Sequence, residues 1–274
     1  MQIVKRSGEI VAYDPEKLKR SLIKSGAQID VVENIMKIIG KEAHDGSTTK
    51  QIYKIAFGLL KKTGNATAAR YNLREAISHL GPAGFHFEKY IARLFESENY
   101  KTTTNITLQG KCVSHEVDVF IKKDNVLAMV ECKFHGGKEA TDNVKIPMYV
   151  LSRFNDLKEK EYLVFDRKEF ITACWIVSNT RFTSDAIDFA KCSGLNLMSW
   201  NYPPNEDIKS KIDRDSMYPL TCLTTLTIAE KDKLLSLELL LVKDLSNNRY
   251  LLEEIGISPN RIKNVLKEVS ELCK

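Results

Sequence analysis

The stretch HEVDVFIKKDNVLAMVECKFH, residues 115–135, decides the fold of the central part of this chain. Apolar and polar residues alternate on both sides of residues 123–125, which is the pattern of two β-strands joined by a tight turn. Glu131 and Lys133 are two residues apart in the second strand, so they project side by side from one face. The hairpin is expected to bring Asp118 next to them.

The residues around this hairpin predict an α/β domain with a mixed sheet, in the order α-β-β-β-α-β-α-β. Each segment shows the apolar spacing of a helix or the alternation of a strand. The predicted elements are a helix over 85–97, strands over 100–108, 115–121 and 126–134, a helix over 144–157, a strand over 171–177, a helix over 183–191 and a strand over 195–200.

The first part of the chain predicts a β-hairpin followed by helices. QIVKR and EIVAY are short alternating runs on either side of Ser7-Gly8, which favour a hairpin. Asp14 is placed to cap a helix that Pro15 opens. Helical spacing of apolar residues then predicts helices over 15–24, 31–41, 49–62 and 66–79.

Gly81-Pro82-Ala83-Gly84 is the strongest linker signal, because glycine and proline break helices. It divides a domain over 1–83 from one over 84–218, and a helical region over 219–274 follows.

In the C-terminal region LLSLELLL is apolar nearly all round and predicts one buried helix. Two further helices are expected to meet at Gly256, with Ser258 and Pro259 opening the second; the segment EIGIS resembles helix-hairpin-helix DNA binders, and a plain packing pair is the alternative.

Composition excludes several classes of protein. The chain has 274 residues, of which 43% are apolar and 28% charged, which fits a folded globular protein. It has no run of about 18 apolar residues and its N-terminus is charged, so we expect a cytoplasmic protein with no membrane partner. Six scattered cysteines without a CxxC pair predict free thiols and no zinc ribbon. The net charge is +5, and residues 1–84 carry 14 Lys or Arg against 8 Asp or Glu, which favours anion binding there.

The pattern Asp118, Glu131 and Lys133 carries the predicted chemistry. Two carboxylates pointing from adjacent, otherwise apolar strands are costly unless a cation matches them. Mg²⁺ (or Mn²⁺) prefers oxygen ligands, and water beside it can attack a phosphorus atom. Lys133 would orient this water and stabilise the developing charge rather than act as a strict base. The alternative is a surface hairpin with an exposed Asp and a simple Glu–Lys pair.

These residues resemble the PD-(D/E)XK nuclease superfamily, and more closely the Mrr-like restriction endonucleases. The resemblance covers residues 84–220 and rests on GFHFEKYIARLF, HEVDVF, VECKF and WIVSNTRFTSDAIDFA. It implies a metal-dependent DNA endonuclease in which Asp118, Glu131 and the Cys132 carbonyl bind metal. It also implies that Glu88 lies near the site. Many relatives carry Gln-x-x-x-Tyr in the following helix, where this chain has Lys145 and Tyr149.

Residues 1–80 resemble the ATP-cone, a nucleotide-sensing domain, through VKRSGEIVAYDPEKL and TAARYNLREAI. The resemblance implies that Lys5, Arg6 and Lys17 hold the triphosphate of ATP or dATP, with Thr49 as a further contact. Ser7 stands where the family usually has Asp. The chain contains no GxxxxGK[ST] loop, so the nucleotide is expected to be an allosteric signal rather than a hydrolysed substrate.

Three functions remain open at the level of sequence. The first is a metal-dependent DNA endonuclease that responds to ATP and works as a homodimer or higher homo-oligomer, since cutting both strands needs two sites. The second is a nucleotide-responsive DNA-binding regulator without nuclease activity. The third is an inactive nuclease fold used for binding, which the intact Asp118, Glu131 and Lys133 disfavour. His135 is either a phosphate contact on the site face or a polar strand-end residue.

Overall fold

The computed structural model describes residues 1–5, 7–81, 84–137 and 140–274. They form two compact units, one made of Met1–Ala76 together with Leu220–Lys274 and the other of Ile77–Pro219. The division into three domains along the chain remains a proposal about which segments fold on their own. No helix in the described part of the chain is long and apolar enough to cross a membrane.

The N-terminal part contains the predicted hairpin and helices. The two strands pair antiparallel, with Val4 opposite Ile10. The last hydrogen bond before the turn runs from the amide of Lys5 to the carbonyl of Glu9 at 2.8 Å. The turn between these two residues is therefore longer than the expected two residues. The predicted helix over 66–79 is two helices that meet at Asn72. The elements are β1 (Gln2–Val4), β2 (Ile10–Ala12), α1 (Pro15–Lys24), α2 (Ile29–Glu42), α3 (Thr49–Thr63), α4 (Asn65–Tyr71) and α5 (Leu73–Ser78).

Local capping explains where these helices begin. The Asp14 carboxylate accepts the amide hydrogen of Lys17 at 3.1 Å, as expected for an N-cap, and Pro15 occupies the first helical turn of α1. The side chain of Thr48 accepts the amide of Gln51 and starts α3. The apolar faces of the helices then bury a core that includes Leu22, Val32, Ile35, Ile39, Ala56 and Leu60.

The second unit is built on a five-stranded mixed sheet, as the sequence predicts. The elements are α6 (Phe85–Ser97), β3 (Lys101–Gln109), β4 (Ser114–Lys123), β5 (Val126–Lys133), β6 (Thr141–Asp142), α7 (Lys145–Leu157), β7 (Glu161–Val164), β8 (Arg167–Phe170), β9 (Ala173–Ser178), β10 (Arg181–Phe182), α8 (Ser184–Cys192), β11 (Asn196–Met198) and α9 (Ile208–Asp215). The strand order of the sheet is β11-β9-β5-β4-β3, in which β3, β4 and β5 are antiparallel and β5, β9 and β11 parallel. The sequence does not predict the short pairs β7-β8 and β6-β10 or the helix α9.

Helices cover both faces of this sheet. On one face α6 lies against β3, β4 and β5, and Phe95 of α6 meets Trp175 of β9 edge to face at 5.7 Å. On the other face, apolar strand residues pack with α7 and α8 in a single buried cluster that includes Phe120, Met129, Ile176, Val150 and Ala186. Since successive strand residues point to opposite faces, each strand contributes to both layers.

The C-terminal elements differ from the prediction in one place. LLSLELLL is not one helix, because the helix α10 (Ile228–Ser236) ends within it and Glu238 has a φ of 63°. The leucines after the helix end, Leu239, Leu240 and Leu241, are buried nonetheless, so apolar content predicted burial but not conformation. The elements are a 3-10 helix (Leu220–Cys222), α10 (Ile228–Ser236), a 3-10 helix (Val242–Ser246), α11 (Tyr250–Glu254) and α12 (Pro259–Leu272).

Candidate active site

The β4-β5 hairpin places Asp118 across from Glu131. Val119 pairs with Val130, so Asp118, which precedes Val119, lies opposite Glu131, which follows Val130. Ladder pairing stops at that point, and the amide of Cys132 donates instead to Oδ2 of Asp118 at 2.7 Å. The two carboxylates therefore lie side by side on neighbouring strands, as the alternation predicts.

Asn105 of the edge strand links Glu88 to the same region. Thr104 pairs with Val119 and Ile106 with Val117, so the register is unbroken and Asn105, with a φ of 56°, lies opposite Asp118. Its side-chain amide donates to Oε2 of Glu88 at 2.9 Å. The negative charge of Glu88, a residue of α6, is one of the influences that raise the pKa of Asp118. The sequence does not predict this role of Asn105, because it shows only a polar residue within a strand.

The surroundings of Asp118 disfavour its ionised form. Burial first, and the negative charge of Glu131 second, raise its pKa from 3.8 to about 7. The hydrogen bond from the Cys132 amide and the positive charge of Lys133 act in the opposite direction and do not outweigh them. A half-buried carboxyl whose ionised form is disfavoured by a neighbouring acid gains most from a nearby cation.

Glu131 is held by two cations. Its side chain is 5% exposed, and Nζ of Lys133 contacts Oε1 at 2.6 Å. The guanidinium of Arg153, from α7, contacts the other carboxylate oxygen and also reaches the carbonyl of Glu116. Arg153 was missed at the level of sequence, although its place four residues after Tyr149 on the helix following Glu-x-Lys could have suggested it.

The carboxylate oxygens of the site are the kind of ligand that a hard divalent cation prefers. Among the described residues, no group of three or more His, Cys, Asp and Glu side chains is arranged to hold a metal ion. Asp118 and Glu131 offer only oxygen, however, and Mg²⁺ usually combines one or two carboxylates with several waters. Burial raises the pKa of the Cys132 thiol well above its usual range, which disfavours a thiolate there. Asp118, whose ionised form is disfavoured, fits a bound cation, provided that Glu131 shares its oxygens with Arg153 and Lys133.

The described residues that are expected to bind nucleotide lie just after β1 and at the starts of α1 and α3. A bridge between Val4 and Thr48, and a hydrogen bond of 3.0 Å from the Val4 amide to Ser47, bring Lys5 beside Thr49 at the beginning of α3. Lys5 pairs with Glu9 at 2.7 Å. Lys17 lies separately in the first turn of α1.

Arg6, the remaining member of that set, lies outside the described residues. The positions of Lys5 and Thr49 are joined by the fold through the Val4–Thr48 bridge, whereas Lys17 belongs to a different helix. A convergence of all four residues on one phosphate chain therefore stays a prediction.

A mixed sheet with Asp118 and Glu-x-Lys on adjacent strands, covered by helices on both faces, is the architecture of a restriction-endonuclease-like domain. A model of the restriction endonuclease family (Mrr_cat) matches residues 82–201. The ATP cone domain matches residues 1–77, and the family described as AF1548-like, C-terminal, matches residues 218–273. The expected fusion of an ATP-cone with an Mrr-like nuclease domain is confirmed.

The chain is 33% identical over 183 residues to an uncharacterized protein of Archaeoglobus fulgidus, a match that covers 66% of this chain and 99% of that protein. A crystal structure described as the protein of unknown function AF1548 is 30% identical with a TM-score of 0.57, covering 69% of this chain and 97% of the other. The chain belongs to the AF1548-like family. The match to a structure of Can2 from Sulfobacillus thermosulfidooxidans in complex with cyclic tetra-adenylate covers 67% of this chain and 50% of the Can2 chain. Its identity of 17% and TM-score of 0.31 are too low to support any conclusion about this chain.

Proposed function

We propose that this chain is a divalent-metal-dependent DNA endonuclease that hydrolyses phosphodiester bonds and is regulated by ATP or dATP. The observation that carries this proposal is the position of Asp118 directly across from Glu131, with its pKa raised to about 7 by burial and by that neighbouring acid. Such a carboxyl destabilises the metal-free site and favours a cation there. The restriction endonuclease domain supports phosphodiester hydrolysis as the reaction.

In this proposal Asp118, Glu131 and the Cys132 carbonyl hold Mg²⁺ or Mn²⁺. The ion, when bound, supplies Lewis-acid stabilisation of the charge that develops on the phosphate. Lys133, whose side chain is 24% exposed, turns from Glu131 toward solvent or substrate and orients the attacking water. Glu88 acts from the edge of the site, through water or as an outer ligand.

The nucleotide is proposed to act on the first unit. Lys5 lies beside the N-terminal end of α3, where helix amides and a lysine together favour a phosphate. The C-terminal helices belong to the same unit, since Arg70 donates to the Glu271 carbonyl at 2.9 Å and Lys61 to the Thr224 carbonyl at 2.8 Å. A change of α3 or α4 on nucleotide binding would therefore be felt by residues 220–274.

The nuclease proposal is tested by cleavage of supercoiled, methylated and branched DNA with Mg²⁺, with and without ATP. Wild type should nick or cut at least one substrate, and Asp118→Ala should lose that activity by about two orders of magnitude or more. Glu161→Ala removes an exposed carboxylate of β7 and is the matched control. Equal cleavage by wild type and Asp118→Ala would show that the site is elsewhere. DNA binding without cleavage in every condition would instead support a nucleotide-responsive DNA-binding regulator.

The regulatory proposal is tested by calorimetry of ATP and dATP binding. Lys5→Ala/Arg6→Ala should weaken binding by about tenfold or more, because each lysine or arginine lost removes a charge-assisted hydrogen bond to phosphate. Lys37→Ala, an exposed lysine of α2, should bind like wild type. Unchanged affinity in the double variant would refute this nucleotide site. A monomeric mass in light scattering, with and without ATP, would count against the proposed homo-oligomer.

A further inference from the structure

Buried polar residues surround one histidine at the end of the active-site strand. Asp142 of β6 is 2% exposed, and its Oδ1 lies 2.8 Å from Nε2 of His135. The other oxygen of Asp142 accepts hydrogen bonds from the hydroxyls of Ser178 and Thr180, which are themselves buried. An ionised carboxylate at such a depth needs a positive partner. In the described part of the chain, the positive partner in contact with Asp142 is His135.

The backbone of His135 is fixed as firmly as its ring. The His135 amide donates to Oδ1 of Asn179 at 2.8 Å, and the side-chain amide of Asn179 donates back to the His135 carbonyl at 2.8 Å. Asn179 is 4% exposed. Asn179 thus holds the His135 backbone while Asp142 orients the ring, and the hydrogen bond to Asp142 raises the pKa of the ring.

The ring remains open on its other side. The His135 side chain is 32% exposed, and the Asp142 contact uses Nε2. A protonated imidazole donates from both nitrogens, so Nδ1 is available to a second acceptor. Lys133 lies two residues earlier, close enough for its charge to act on His135. The end of β5 therefore carries Lys133, which contacts Glu131, and two residues later the exposed side of the His135 ring.

We propose that His135 is a phosphate-binding residue of the nuclease site: its ring, oriented by Asp142 on a backbone held by Asn179, donates a hydrogen bond to a backbone phosphate of bound DNA next to the bond that is cut. This inference rests on the proposed nuclease function and adds a substrate contact to it. Phosphate contacts set the register of the protein on DNA without reading the base sequence.

The same sheet contains a second His–Asp pair for comparison. His115 of β4 also lies 2.8 Å from a carboxylate, that of Asp156, but its side chain is only 11% exposed. Asp156 also accepts the amides of Cys112 and Val113 and so clamps the β3-β4 turn onto α7. His115 is a purely structural histidine by this geometry, and it controls for the loss of a His–Asp pair.

The experiment measures DNA affinity by fluorescence anisotropy with EDTA present, so that no cleavage occurs, at several salt concentrations. His135→Gln should weaken binding about tenfold and reduce the slope of log affinity against log salt by about 1, uniformly across DNA sequences. His135→Arg keeps a positive charge and should recover most of both losses. His115→Gln should change the unfolding midpoint and leave the slope unaltered.

The outcomes separate this inference from the proposed function. Wild type that cuts DNA while His135→Gln keeps the wild-type affinity and salt slope overturns the phosphate contact alone. Equal losses in His135→Gln and His135→Arg, together with a lowered unfolding midpoint in both, also overturn it, because they indicate a structural role. Wild type that neither binds nor cuts any DNA overturns the proposed function and this contact together.

Discussion

Replacing Asp118 with asparagine should stabilise the metal-free protein at high pH. The folded pKa of this carboxyl is about 7 against a usual 3.8. The folded state therefore keeps a proton that the unfolded chain releases between these two values, so stability falls as the pH rises from about 4 to about 7 and is constant above. The amide of the Asp118→Asn variant carries no charge, so this variant has no such slope.

The magnitude follows from the shift. Each pKa unit corresponds to about 1.4 kcal/mol, so roughly three units set an upper bound of about 4 kcal/mol for the gain of Asp118→Asn at pH 8. The asparagine loses part of the hydrogen bond from the Cys132 amide, so we expect about 2 kcal/mol. Near pH 4, where wild type has not yet lost this stability, the variant should be about 2 kcal/mol less stable than wild type because of the weakened hydrogen bond.

Metal should reverse this order. A ligand at about one hundred times its Kd stabilises the folded state by about 2.7 kcal/mol. Mg²⁺ at that concentration should stabilise wild type by about this amount and Asp118→Asn by much less, because the variant lacks one of the two carboxylates. Asparagine is thus favourable in EDTA and unfavourable in Mg²⁺ at the same pH.

Urea titration followed by tryptophan fluorescence is the assay. Trp175 and Trp200 both lie in the second unit, so their signal reports the unfolding of the unit that contains the site. Asp156→Asn is the control, since the hydrogen bond from His115 holds the pKa of Asp156 well below its usual range and its replacement should destabilise the protein at pH 8. Asp118→Asn that is less stable than wild type in EDTA at pH 8, or that gains as much from Mg²⁺, would refute the reasoning.

Three further predictions concern single side chains. Arg153→Ala should tighten Mg²⁺ binding several-fold in calorimetry, because the guanidinium competes with the ion for Glu131; weaker binding would contradict this competition. Gly110→Ala should lower the urea midpoint, since a Cβ there would lie 2.1 Å from Oδ2 of Asp156, and an unchanged midpoint would argue against that packing. Glu268→Ala should cost about 2–4 kcal/mol in unfolding followed by circular dichroism, because the buried carboxylate accepts the amides of Thr224 at 2.7 Å and of Thr225 at 3.0 Å; a loss below about 1 kcal/mol would be incompatible with its role.

Helix and strand positions in the second unit were largely predictable because they depend on local patterns. Alternation located β4 and β5 and their turn, and Thr183 caps α8 as the sequence suggests. The β7-β8 hairpin was missed, since its strands have only four residues each and leave Leu163 exposed. LLSLELLL was wrongly assigned to one helix because apolar composition reports burial and does not distinguish a helix from buried irregular chain.

The sequence by itself determined the pairing of Asp118 with Glu131 and the side-by-side position of Lys133, because strand alternation and a short turn are local and leave one register that buries the apolar face. Only the tertiary structure decided which side chains surround that pair. Arg153 arrives from a helix that packs across the sheet, and Asp142 reaches His135 through a separate short strand. Such contacts depend on how elements distant in sequence pack together, so a spacing within one helix can suggest a residue such as Arg153 but not the side chain that it contacts.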